Sequence, residues 1–215
     1  MPVMSTLAAA SARAFGLTGS AETLFKASKS VVFVVGANTV TLPAATSVGD
    51  LLVFFVTDVS TGMTGISGAG ATWSTPTVTT GGILRYTYGV CGALSDITVT
   101  IAVGDTDECG QLLVIRNSPV LTFQGETSGS AGTVRTAPGF TKDAASKLIL
   151  TAGVTSIAAG HQACTTPGFT TLTGPTNARS QDCAYVQSNV YVNGSGIDWT
   201  GVDGQLSSVS SFEVT

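Results

Sequence analysis

Charge is scarce in this chain: Asp, Glu, Lys and Arg make up 10% of its 215 residues, against roughly 25% in an ordinary globular domain. Salt bridges can add little, so a large core or contacts between subunits must supply stability. The nine basic residues stand singly, at Arg13, Lys26, Lys29, Arg85, Arg116, Arg135, Lys142, Lys147 and Arg179, and the net charge is −4. With no Lys/Arg cluster to displace counterions from phosphates, nucleic acid is not an expected partner. No apolar run approaches the ~20 residues that a bilayer span needs, so no membrane insertion is expected. The first residues end in Ala10-Ser11-Ala12-Arg13, loosely like a signal peptide, but they lack a basic n-region and an unbroken apolar segment. Secretion by this segment is therefore not expected.

The chemistry-bearing residue types are equally thin. There is one histidine, His161, with no Gly-x-Ser-x-Gly elbow, and a nucleophilic hydrolase needs a base, a nucleophile and an orienting group together. The Gly-x-Gly fragments lie between expected strands rather than ahead of a helix, so they are not phosphate loops. The four cysteines, Cys91, Cys109, Cys164 and Cys183, form no C-x-x-C pair. They allow three disulfide connectivities that the sequence does not choose between, and the favoured reading is small buried thiols in strands. Asp105-Thr106-Asp107-Glu108 is the densest acidic cluster. It lacks the later ligands of a calcium loop, so a solvated turn is the favoured reading. A carboxylate pair at glycosidase spacing is not recognisable. No cofactor, no metal and no enzymatic activity are expected.

What is abundant is Gly, Ser, Thr, Ala and Val, the composition of many short strands joined by tight turns. Gly49-Asp50 opens Leu51-Leu52-Val53-Phe54-Phe55-Val56-Thr57, an apolar run too short for a core helix and too unbroken for a half-exposed strand. It reads as a central strand covered on both faces. Ile97-Thr98-Val99-Thr100-Ile101 alternates apolar and polar, and Gln111 to Arg116 reads as another buried strand. The order then repeats. Leu148-Ile149-Leu150 answers Leu52-Val53-Phe54, Pro167 to Thr170 answers Ala71 to Ser74, Cys183 to Val192 answers Ile83 to Val90, and Leu206 to Val214 answers Leu112 to Arg116. The expected fold is all-β, an antiparallel jelly-roll-like sandwich with a short N-terminal helical or extended arm. Residues 1–29 form the arm and 30–215 one sandwich domain whose pseudo-repeat halves, 30–117 and 140–215, interleave, with 118–139 as a linker.

Within the arm, Leu7 to Phe15 is Ala-rich and suits two turns of helix stopped by Gly16. It is too small to bury a face alone, so Leu7, Ala10, Arg13, Phe15 and Leu17 are the candidate assembly contacts. Exposed aromatics beside polar loops would suit a sugar. Trp73, Tyr86 and Tyr88 are the candidate glycan contacts, against a core-packing reading favoured by their place in strands.

The order Val48-Gly49-Asp50-Leu51-Leu52-Val53, Gly70-Ala71-Thr72-Trp73, Leu84-Arg85-Tyr86-Thr87-Tyr88, Ile97-Thr98-Val99-Thr100 and Leu113-Val114-Ile115-Arg116 resembles a β-sandwich module of tailed-phage structural proteins. Phe169 and Trp199 stand at its recurrent aromatic places, and Ala8 to Gly16 is similar to the opening of small phage tail and accessory proteins. The resemblance implies a non-enzymatic virion protein, either a tail fibre or tail accessory protein or a head decoration (cement) protein, docked by its arm. Its implied partners are capsid or tail and baseplate proteins and further copies of itself, a trimer being the expected state. The alternative is a carbohydrate-binding module that recognises a host-surface polysaccharide.

Overall fold

The computed structural model describes residues 24–57, 62–102, 108–118, 120–155, 160–201 and 206–215, without the side chains of Ser130 and Ala131. The expected arm contacts Leu7, Ala10, Arg13, Phe15 and Leu17 lie outside the described residues, as do Asp105 and Asp107. The described residues form strands and no helix. In chain order these are β1 (Phe25–Val32), β2 (Gly36–Val40), β3 (Leu51–Thr57), β4 (Met63–Gly68), β5 (Thr77–Val78), β6 (Leu84–Val90), β7 (Ile97–Ile101) and β8 (Cys109–Ile115). They continue with β9 (Leu121–Gly132), β10 (Val134–Ala137), β11 (Leu148–Thr155), β12 (Gln162–Cys164), β13 (Thr170–Leu172), β14 (Ser180–Gln187), β15 (Ile197–Gly201) and β16 (Leu206–Val214).

The first eight strands build a five-stranded sheet, β1-β8-β3-β6-β5, and a three-stranded sheet, β2-β7-β4. The next eight repeat the order, with β9-β16-β11-β14-β13 and β10-β15-β12. Every pairing between these strands is antiparallel. Within each half the chain winds back and forth between its two sheets, the jelly-roll course. The fifth strand departs from it by pairing with the sixth in the large sheet. The halves share no sheet, so they do not interleave: each closes its own sandwich. The linker expectation also gives way, because 118–139 holds β9 and β10. Gly, Ser and Thr dominate β9 and hide its strand character. Only its pairing with β16 reveals it.

Alternation explains how the two sandwiches meet. In β3 every residue is buried. Leu52, Phe54 and Val56 face Ile97, Val99 and Ile101 inside the first sandwich. Leu51, Val53 and Phe55 point the other way, into a core shared with Leu148, Leu150, Phe212 and Val214 of the second half. Ile149, Val209 and Trp199 fill the second sandwich. Four layers stack, and the two five-stranded sheets form the inner pair. Each large side chain in the shared core contributes about 1.5–3 kcal/mol relative to exposure, so neither large sheet can leave its outer face to water. Rings knit the seam: Phe55 lies 4.8 Å from Phe212, Tyr86 5.0 Å from Phe212 and Phe25 4.3 Å from Tyr185.

β1 begins at Phe25, so residues 25–29 of the expected arm are sheet residues paired with β8. Lys26 fixes this start, its Nζ donating to Asp50 Oδ2 at 2.6 Å and to Ser47 Oγ at 2.9 Å.

Candidate docking end and the polar seam

The molecule has two distinct ends. At one, here the near end, β3 and β11 begin, and β6, β8, β14 and β16 finish. Lys147 at the head of β11 donates to the Asn117 carbonyl at 3.4 Å, and the Thr215 amide donates to the Val120 carbonyl at 3.2 Å. The Arg116 amide donates to the Leu24 carbonyl. Leu24 and the final residue therefore sit at the same end. Among the described residues the near end carries six large apolar side chains left in solvent, Val48, Val90, Leu94, Val120, Val190 and Val192, the last two 51% and 66% exposed, while Val32, Val34, Val35, Val78 and Val134 are exposed elsewhere. Exposed valines scattered singly are normal; a contiguous group of them would mark a contact surface.

Three cavities open there. One of about 580 Å³ lies beside Lys142, Asp143 and Glu213, and one of about 270 Å³ lies beside Lys26, Asp50 and Arg116. The third, about 260 Å³, is apolar and walled by Pro167, Phe169, Val186, Val190, Tyr191 and Val192. Its shape is held from behind. Tyr191 stacks on Phe140 at 5.0 Å, accepts from the Phe140 amide at 3.1 Å and donates to the Ser195 carbonyl at 2.8 Å. Lys142 Nζ donates to the Ser188 and Tyr191 carbonyls and ties down the loop after β14.

The far end of the seam is polar. Glu108 is fully buried there and pairs with Arg179 of the other half at 2.8 Å, while Thr57 Oγ1 donates to its second oxygen at 2.7 Å. Glu108, the one residue of the acidic cluster among the described residues, is thus held in a buried cross-half ion pair. Nearby, buried Asp182 accepts from the Gln162 amide at 2.6 Å and the Gly174 amide at 2.7 Å, and its Oδ1 lies 3.1 Å from His161 Nδ1. Burial pushes the Asp182 carboxyl above the ordinary carboxylate range, opposed by those two amides and by His161. A histidine oriented by a carboxylate is part of a hydrolytic arrangement. Ser180 is nevertheless engaged elsewhere, with Gly160, Thr155 and Gln162.

The aromatic candidates are divided between two cores, Tyr86 and Tyr88 in one and Trp73 in the other. Tyr86 and Tyr88 pack into the seam, Tyr86 against Phe123 and Phe212. Trp73 packs on the core of the first sandwich, its Nε1 donating to the Gly68 carbonyl at 3.2 Å. These residues lie on opposite faces of the first five-stranded sheet. All four cysteines are free thiols, three buried and Cys164 half-buried. Burial pushes Cys109 up to about 12 and Cys164 up to about 11, which keeps them protonated and unreactive near neutrality. Sequence reasoning did not single out Arg179 or Asp182 as site residues; only the expected strand from Cys183 to Val192 pointed to a structured segment there. Compared with protein-family models, curated proteins and solved structures, the chain matches none.

Proposed function

We propose that this chain is a non-enzymatic structural protein that docks by its near end onto a larger assembly and displays the far end outward. In the virion reading it is a tail accessory or fibre component or a head decoration protein, present as a homo-oligomer. One observation carries this reading: Leu24, where the described chain begins, sits at the end that also holds Thr215, six exposed apolar side chains and the three cavities. A segment of 23 residues with only Arg13 and Glu22 charged suits a contact that excludes water. The body behind it is four layers of sheet packed around three buried cores, which suits a particle component.

The test is incorporation. Particles assembled with the full chain are expected to retain it through density-gradient purification, and those assembled with a chain lacking residues 1–23 to lose it. Full incorporation of the shortened chain would sink the proposal. Turnover of a substrate by the isolated protein would do so as well.

A further inference from the structure

We propose that the apolar cavity walled by Phe169, Val186, Val190, Tyr191 and Val192 is the seat of Phe15 of the same chain. The position of the exit carries the assignment. Phe25, one residue after Leu24, stacks on Tyr185 of β14 at 4.3 Å. Tyr185 pairs across the ladder with Thr170, and the next residue back, Phe169, is a cavity wall. Val186, the neighbour of Tyr185 pointing to the other face, is the cavity floor. The chain therefore leaves the sheet on one side of the β13–β14 edge, and the cavity opens round that edge at the same end.

Reach and fit agree. Phe15 stands nine residues before Leu24, a span of up to about 30 Å when extended. An apolar cavity of about 150 Å³ already accepts a benzene ring, so about 260 Å³ admits a phenyl group. Val190 and Val192 are exposed around the opening, and Leu17 follows Phe15 closely enough to cover them. A tether this short holds the segment at an effective concentration in the millimolar range, which favours the chain's own segment over that of a second copy. The proposal extends the docking reading by giving the arm a resting place from which an assembly partner displaces it. It is tested on the isolated protein, so its failure leaves the incorporation test standing.

The experiment places a photo-crosslinking p-benzoyl-phenylalanine at position 15 of the full chain in dilute solution. An adduct within one chain, mapped to 166–169 or 190–195 and lost in Val192→Asp, is the expected result. Val192 is exposed, so this substitution leaves folding intact; Val190→Ser gives a second variant with the same expectation. As an independent readout, Phe15→Ala in the otherwise natural chain is expected to speed amide exchange of residues 188–195 several-fold. An adduct between two chains would assign the cavity to a second copy and overturn the proposal. An adduct mapped elsewhere, one that survives both cavity substitutions, or unchanged exchange in Phe15→Ala would overturn it too.

Discussion

The two halves share one strand order but fill their sandwiches in opposite ways. Strands β3 and β11 correspond through their pairing with the last strand of each half, Leu51 with Ile115 and Leu148 with Val214. By that register Phe54 and Val56 of the first half answer Thr151 and Gly153 of the second. On the facing sheet Val99 answers Trp199. In the first half the bulk sits on the central strand and the opposite strand carries a valine. In the second the central strand is pared down to glycine and the bulk comes from Trp199, whose Nε1 donates to Thr151 Oγ1 at 3.0 Å. A Cβ at Gly153 would lie 2.8 Å from the indole. Bulk given up on the central strand is supplied from the facing strand, as dense packing requires. A second contrast lies on β6 and β14, where Leu84 and Arg85 are answered by Gln181 and buried Asp182. The second half thus buries polar groups on both faces of this strand: Asp182 lies on the face of Ala184 and Val186, inside the second sandwich, where it accepts from the Gln162 amide, and Gln181 lies on the seam face of Cys183.

The largest expected effect comes from breaking the bond between the halves. Arg179→Ala leaves Glu108 buried without its cation, which costs about 3–5 kcal/mol by the behaviour of broken buried pairs, read as a lower urea midpoint. Glu108→Gln combined with Arg179→Met is expected to recover most of that loss, since removing both charges leaves nothing uncompensated. Equal midpoints for Arg179→Ala and the parent would show that the pair does not hold the halves together.

Next in size is the volume exchange. Gly153→Val copies the residue of the first half into the second without shrinking Trp199, and overpacking of this kind costs about 1–3 kcal/mol. Adding Trp199→Val is expected to regain part of it. If the double variant is less stable than the sum of the two single changes, the halves do not trade volume at these positions.

The smallest effect is a slope. Because burial raises the folded Asp182 pKa, its contribution is fully present below the ordinary carboxylate range. It is lost as pH rises through the raised value. Denaturation midpoints measured from about pH 4 to about pH 8 are expected to lose this decline in Asp182→Asn. An identical profile in the variant would mean the carboxyl titrates as it does in the unfolded chain.

Much of this architecture was legible from residues alone. The unbroken run from Leu51 to Thr57 required cover on two faces, and it has cover on two faces. The strict alternation from Ile97 to Ile101 placed three apolar residues inward and two threonines at the rim, as found. The repeat of strand order across the halves was visible too. The illegible parts share a cause. β9 runs through Gln124-Gly125-Glu126-Thr127-Ser128-Gly129, a stretch with little intrinsic preference for a strand. It becomes one because β16 offers an open edge and because Glu126 can reach Thr79, Gly81 and Ser208. β1 starts inside the expected arm because Phe25 finds Tyr185 and Lys26 finds Asp50.

The candidate site divides along the same line. The low charge and apolar residues of the first 23 positions are a property of the sequence, and they mark a segment in search of a surface. Which surface lies beside the exit depended on pairing between strands more than a hundred residues apart. Local pattern settles what a strand buries, because alternation is set by the backbone. Whether two such halves exchange strands or seal face to face is a competition between long-range contacts. That competition was decided by two apolar sheet faces with only each other to cover them.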